Sequence, residues 1–200
     1  PVASGFAEHT DCDVVPFGVH RRADVRVLWH ECDVTRARVT VESPWGRWDV
    51  PTKLVGSWNA SNIAAAVATV GSITGTLDDA MEMLPGMPAV SGRMEAIDCG
   101  QPFRVIVDFA HTPAALKVVL SELRAQTSGR LISVFGSAGD QDKGKRPLLG
   151  RVVAMYADYA VVTDEDPRGE APELIAEAIV AGASVTRPEF AMDVVLDRRE

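Results

Sequence analysis

The feature that most constrains this chain is a rhythm in its second half, where apolar runs of strand length alternate with helix-patterned segments. Residues 103–108, 131–135 and 159–163 are near-continuous apolar runs. Between and after them, residues 114–124 set Leu116, Val119, Leu120 and Leu123 at helical spacing, and residues 148–156 and 172–180 read as further helices. A strand with no polar side to alternate with is buried on both faces. The rhythm therefore predicts a mainly parallel sheet covered on both sides and wound by right-handed crossovers. Ligands of such sheets bind beyond the carboxyl ends of the strands. Three polar segments follow the runs and become the candidates: those starting at Asp108, Gly136 and Asp164.

The first half has a different pattern. Residues 25–29, 37–41 and 46–50 are short, rich in β-branched and aromatic side chains, and split by Asp33 and by Ser43-Pro44, which predicts a β meander. Residues 59–70 then turn Ala-rich, with Ile63, Ala64 and Val67 on one helical face and Ser57 or Asn59 as the cap. A shorter helix is expected over residues 77–84, opened by Thr76, with Asp78 and Asp79 suited to its positive end. Pro85-Gly86-Met87-Pro88 ends that helix and forms the best linker in the chain. The fold class is α/β in two parts: a β-rich portion over residues 1–90 and a Rossmann-like portion over residues 91–200.

Charge and cysteine content narrow the partners. Twenty basic against 28 acidic residues give a net charge of −8, spread along both halves, which argues against a duplex nucleic acid or an anionic membrane. A small anion met by a few placed cations remains open. No apolar run reaches the roughly 18 residues of a membrane span, and the start of the chain carries no signal-like core, so a cytoplasmic monomer is expected. Cys12, Cys32 and Cys99 are odd in number and widely spaced, fitting neither a disulfide framework nor a CxxC zinc site; they are expected as buried, reduced thiols.

Each candidate segment has a chemical reading and a plainer one. Residues 136–146 supply glycines that let backbone amides approach an anion, with Lys143, Lys145 and Arg146 adding charge. The stretch nearly spells a P-loop, but Arg146 stands where a magnesium-binding hydroxyl is needed, and GxGxxG is missing too. The plain alternative is a charged strand-to-helix turn. In Asp108-Phe109-Ala110-His111-Thr112-Pro113, Asp108 suits ribose hydroxyls and His111 a base or phosphate; equally, Thr112 caps a helix whose first position is Pro113. Asp164-Glu165-Asp166-Pro167-Arg168 offers carboxylates and one arginine to the two ends of an amino acid, or is a solvated acidic turn. Its carboxylates without a nearby His make a weak metal site. Asn59 and Asn62 share a helix face, and Arg93 suits a phosphate or a local acid.

Taken in order, these segments resemble the Mur ligases. The resemblance rests on Gly56-Ser57-Trp58-Asn59-Ala60-Ser61-Asn62, Ser91-Gly92-Arg93-Met94-Glu95, residues 107–113, the loop 136–147 and residues 163–168, and covers residues 55–182. It implies the end of a central ATPase domain followed by most of a C-terminal domain, with ATP and Mg2+ serving between them. The implied chemistry phosphorylates the carboxylate of UDP-N-acetylmuramoyl-L-alanyl-D-glutamate; an amino acid amine then displaces phosphate, adding the third residue of the peptidoglycan peptide. By position, Asn59 and Asn62 resemble the adenosine-side asparagines, Arg93 the arginine that reaches ATP, and Asp108 the ribose-contacting aspartate with His111 beside it. Arg168 resembles the arginine that pairs with the incoming amino acid, with Asp166, Gln141 and Lys145 around that substrate.

Two departures bear on specificity. Relatives that use meso-diaminopimelate carry Asp-Asn-Pro-Arg and an arginine where Gln141 stands; here Asp166 is acidic and Gln141 neutral. An amino acid with a cationic distal end, lysine or ornithine, is therefore expected. The P-loop, the family's modified lysine and its closing Gly-Lys-Gly-His-Glu element are not in these 200 residues. The chain is accordingly expected to be a portion of a longer ligase, inactive alone and weak in ATP affinity. The alternatives are a folylpolyglutamate synthetase-like ligase and a noncatalytic or amidotransferase-associated homologue that binds nucleotide or precursor.

Overall fold

The computed structural model describes residues 9–33 and 35–199. The chain folds as two compact units, the first ending at Asp108 and the second beginning at Phe109.

The first unit is built on a four-stranded sheet of order β1-β2-β3-β4, formed by Phe17–Gly18, Val25–Cys32, Ala37–Ser43 and Gly46–Thr52. Strands β2, β3 and β4 form the expected meander, with Val27 opposite Val41 and Val39 opposite Val50. β1 adds in parallel to β2, an edge that its two residues are too few to announce. Alternation sends Val25, Val27, Val39 and Val41 to one face, where they are buried against Ala60, Ile63, Ala64 and Val67 of helix α1, Asn59–Thr74. Trp45, in the β3–β4 turn, lies on Gly71 of α1 so closely that a Cβ there would sit 2.3 Å from its ring. The helix stops at Gly75, whose φ of 72° allows its N–H to reach the Gly71 carbonyl. Its N-cap position is Trp58, with no side-chain cap hydrogen bond, which replaces the expected Ser57 or Asn59. α2 spans Asp78–Met83 with Asp78 and Asp79 in its first turn, and a 3-10 turn, Leu84–Gly86, follows it.

The apolar run at 103–108 departs from expectation. Only Val105–Val107 (β6) is strand, and it pairs antiparallel with Glu95–Ile97 (β5) in a separate two-stranded sheet, Ile106 opposite Ala96. Apolar composition alone does not distinguish a parallel neighbour from an antiparallel one.

The second unit carries the mainly parallel sheet, order β7-β8-β9, from Ile132–Phe135, Tyr159–Val162 and Met192–Val194. Helices α3 (Pro113–Gln126), α4 (Lys145–Tyr156) and α5 (Pro172–Thr186) supply its core. Leu116 and Leu120 meet Leu149, Val153 and Ala160, while Val162 packs with Ile175 and Ile179. α4 and α5 approach through glycines: a Cβ on Gly150 would lie 1.9 Å from the Ile179 carbonyl oxygen, and one on Gly182 2.0 Å from that of Pro147. The expectation of two covered faces needs correction, because Ile132 and Val134 on β7 remain 50% and 66% exposed. The helices cover the Ala160–Val162 side. Thr112 caps α3 by accepting from the Ala115 N–H, and Pro113 takes the first helical position, so the plainer reading of that pair is realised. Helix α4 begins three residues earlier than expected, which draws Lys145 and Arg146 into its buried first turn.

Cys12 and Cys99 are free and exposed, against the expectation of burial; each sits in a polar turn, Cys99 in the β5–β6 connection. The Cys32 side chain lies outside the described residues. Among the described residues no helix is long and apolar enough to cross a membrane.

Candidate functional site

The carboxyl ends of β7 and β8 are adjacent and parallel, Phe135 opposite Val162, so the loops that leave them run side by side. Loop 136–144 and loop 163–171 are joined at many points. Gly139 N–H donates to the Asp166 carbonyl at 2.8 Å, Asp140 N–H to Glu170 Oε1 at 2.7 Å, and Gly169 N–H to Asp140 Oδ2 at 3.1 Å. Glycine is needed where they touch: a Cβ on Gly136 would lie 2.2 Å from the Thr163 carbonyl oxygen and one on Gly139 1.9 Å from that of Pro167.

Glu170 ties the ends of this structure together. Arg146 donates Nη2 to Oε1 at 2.8 Å and Nη1 to Oε2 at 3.0 Å, a bidentate pair, and Lys143 adds Nζ to Oε2 at 2.9 Å. The Arg146 side chain is only 4% exposed. Hydrogen bonds from Arg146, then Lys143, then the Asp140 backbone hold the Glu170 carboxyl far below the usual carboxylate range. The same contact raises Arg146 against the lowering effect of its burial. Two of the three cations expected to face an anion, Arg146 and Lys143, are thus engaged by Glu170, a residue the sequence reading passed over. Its signal was present: a glutamate two residues past the Asp-Pro-Arg turn, beside a loop with surplus positive charge.

Of the remaining groups on this rim, Gln141, Asp166 and Arg168 are exposed and Lys145 is buried. Lys145, buried at the start of α4, donates Nζ to Gln141 Oε1 at 3.2 Å, linking two of the expected substrate-side residues. Arg168 Nε lies 3.3 Å from Asp166 Oδ2, with both side chains largely exposed. Arg168 holds a φ of 51°, and so does Asp140 across from it. Such left-handed backbone costs a non-glycine residue about 1–3 kcal/mol and persists where flanking contacts fix it.

The other expected residues lie elsewhere. Asn62 Nδ2 donates to Asn59 Oδ1 at 2.8 Å, and Asn59 Nδ2 donates to the Val55 carbonyl at 2.6 Å, so the two asparagines form one polar unit at the start of α1. Arg93 is exposed on a turn closed by Glu95, whose carboxylate accepts from Gly92 N–H at 2.7 Å and Ser91 Oγ at 2.9 Å. Those two bonds lower the Glu95 carboxyl from its ordinary value. Asp108 Oδ2 accepts from Met94 N–H at 2.8 Å, tying the end of β6 to the same turn. In the second unit, exposed His111 turns Nδ1 to the Phe109 carbonyl at 3.1 Å and stacks edge-on against the Phe109 ring. Among the described residues no three His, Cys, Asp or Glu side chains are grouped to hold a metal ion.

A three-stranded parallel sheet wound by helices, with a polar rim at its strand ends, places the second unit in the α/β class, whose ligands bind at such rims. Its family is specific: residues 92–199 match the Mur ligase family, glutamate ligase domain, and the chain belongs to the Mur ligases. A UDP-N-acetylmuramyl-tripeptide synthetase of a Roseiflexus species is 41% identical over 84% of this chain and 33% of its own length. A UDP-N-acetylmuramoyl-L-alanyl-D-glutamate--2,6-diaminopimelate ligase of Chromobacterium violaceum is 38% identical over 90% of this chain and 37% of its own. The chain therefore spans about a third of the length of these curated relatives. Among solved structures, the folylpolyglutamate synthase of Mycobacterium tuberculosis complexed with ADP superposes with a TM-score of 0.71, covering 89% of this chain and 39% of that one at 24% identity, a likeness of fold.

Proposed function

We propose that this chain is part of an ATP-dependent acid–amino acid ligase that adds the third amino acid to UDP-N-acetylmuramoyl-L-alanyl-D-glutamate in peptidoglycan synthesis. The observation that carries this reading is the rim of the second unit, where Arg168, Asp166 and Gln141 stand on two interlocked loops at the strand ends and Lys145 reaches Gln141 from the start of α4. Residues 1–90 then belong to the central domain and residues 91–200 to the C-terminal domain. ATP with Mg2+ is the phosphoryl donor. Phosphoryl transfer converts the precursor carboxylate to an acyl phosphate, the amine attacks the acyl carbon, and phosphate leaves.

Each residue has a role in that scheme. Arg168 binds the α-carboxylate of the incoming amino acid, a charge-assisted contact that orients the amine. Asp166 and Gln141 meet the distal end, and their negative and neutral character favours lysine or ornithine over diaminopimelate. Lys145 holds Gln141. Asn59 and Asn62 receive the adenine side, Asp108 the ribose and Arg93 the phosphates, with His111 three residues after Asp108 as a further nucleotide contact. The reaction belongs to the cytoplasm, where the nucleotide-linked precursor and ATP are available.

The test is phosphate release by the full-length protein with ATP and the UDP-linked dipeptide precursor, across lysine, ornithine and meso-diaminopimelate. Turnover with lysine or ornithine supports the reading. Turnover of a folate with glutamate instead would reassign it to the folylpolyglutamate type, and ATP binding without turnover of either acceptor would make it a binding homologue.

A further inference from the structure

The two left-handed non-glycine residues of the rim face one another across the loop junction. Asp140 and Arg168 both have φ near 51°, and Gly169 N–H, the amide directly after Arg168, is bound by Asp140 Oδ2 at 3.1 Å. Arg168 is bracketed on both sides. Before it, the Asp166 carbonyl accepts from Gly139 N–H; after it, Glu170 is fixed by four donors, two from Arg146 and one each from Lys143 and the Asp140 backbone. The side chain of Arg168 itself pairs with Asp166 on its own loop and is 44% exposed. Nothing in that contact dictates its backbone. Arg168 and Gly169 are the central residues of a turn closed by Glu170 N–H donating to the Pro167 carbonyl at 2.9 Å, and that turn is anchored from 24 and 29 residues away by the Arg146–Glu170 pair and by Asp140.

We propose that Glu170, acting through Arg146 and Asp140, is a positioning residue for Arg168: the clasp keeps Arg168 in its left-handed conformation and so presets the guanidinium for the carboxylate of the incoming amino acid. This rests on the assignment of Arg168 to that substrate. The physical logic is preorganisation. A residue that must climb into an unfavourable conformation on binding loses affinity by that amount, whereas one already held there does not. Glu170 is suited to the task because both of its oxygens are saturated by donors from one rigid helix start and the opposite loop, leaving no acceptor to compete for the substrate amine. Misplacement of a positioning group by about 1 Å costs as much as a hundredfold in rate.

The experiment uses the full-length ligase with whichever of lysine, ornithine and meso-diaminopimelate it turns over best, and reads KM for each of the three substrates separately. Glu170→Gln is expected to raise the amino acid KM about tenfold or more while the KM for ATP and for the UDP-linked precursor stays within about twofold. Arg168→Ala is expected to raise the amino acid KM at least as much. The double variant is expected to resemble Arg168→Ala alone, because the clasp acts only through that side chain. Should Glu170→Gln fail to fold, Asp140→Ala removes the acceptor of the Gly169 amide while leaving the Arg146–Glu170 pair intact, and the same selective rise is expected. An unchanged amino acid KM in folded Glu170→Gln, an equal loss across all three substrates, or multiplying effects in the double variant overturns the clasp while leaving the substrate assignment standing. An Arg168→Ala variant with normal amino acid KM overturns the assignment itself and the clasp with it.

Discussion

The guanidinium of Arg146 meets the carboxylate of Glu170 through two parallel hydrogen bonds of 2.8 and 3.0 Å, one to each oxygen. The pair joins the first turn of helix α4 to the loop that follows β8, with Arg146 almost wholly removed from solvent. Its dependence on pH follows from the direction of the Glu170 shift. The folded-state value is depressed, so the stabilisation is fully present above the unfolded carboxyl value near 4.5 and is lost as pH falls from there toward the folded value. Glu170→Gln is expected to lower the urea unfolding midpoint at pH 7, and its gap from the parent protein is expected to narrow steadily below pH 4.5. Urea titrations of both proteins at pH 7, 5, 4 and 3 check this; a gap that widens on acidification would contradict it.

The approach of α4 to α5 depends on two absent side chains. A Cβ at Gly150 or Gly182 would fall 1.9 or 2.0 Å from a facing carbonyl oxygen, and backbone yields less readily than the end of a flexible side chain. Gly150→Ala and Gly182→Ala are each expected to cost at least about 1–3 kcal/mol, since the helices must part and the packing of Leu149 and Ile179 loosens. Thermal or urea unfolding measures the loss. Gly86→Ala, where a Cβ meets nothing within 4 Å, is the control and is expected to be near neutral.

Much of the second unit was legible because its helices present clear faces. Leu116, Val119, Leu120 and Leu123 are all buried as the 3.6-residue period requires. The carboxyl-end rule pointed to the loops after β7 and β8, which are the ones that interlock. What the sequence concealed was pairing. Residues 105–107 look like a buried parallel strand, yet their partner is Glu95–Ile97, a three-residue strand with no pattern of its own. Arg146 and Lys143 look like ligand-facing cations because charge is ordinarily read as exposure; the acid that engages both lies up to 27 positions away. The three-residue spacing of Asn59 and Asn62 puts them on one helix face, and there Asn62 donates to Asn59.

Thr112 illustrates how a motif position can be tested for a local structural role. Its hydroxyl accepts from the Ala115 N–H at 3.3 Å and so caps the start of α3. Thr112→Ala is expected to cost about 0.5–2 kcal/mol of stability, whereas Thr112→Ser retains the acceptor and most of that stability. Urea unfolding of the two variants distinguishes a cap from a side chain whose methyl group matters.

Specificity for the third amino acid turns on Gln141 and Asp166. Gln141 Oε1 accepts from buried Lys145, and Asp166 sits 3.3 Å from Arg168 Nε. The double change Gln141→Arg with Asp166→Asn removes one negative charge and adds one positive charge at the rim, which favours a distal carboxylate over a distal ammonium. A charge-assisted hydrogen bond contributes about 1.5–3 kcal/mol, so kcat/KM for meso-diaminopimelate relative to lysine is expected to rise about ten- to hundredfold in the full-length enzyme. The change has a structural cost. Lys145 loses its glutamine acceptor and gains a like-charged neighbour while remaining buried, so the variant is expected to unfold at a lower urea concentration than the parent. Competition assays with the two amino acids at equal concentration read the specificity, and urea unfolding reads the cost. A variant that loses stability without any change in amino acid preference would remove Gln141 and Asp166 from the recognition of the distal group and leave Gln141 with its structural role toward Lys145.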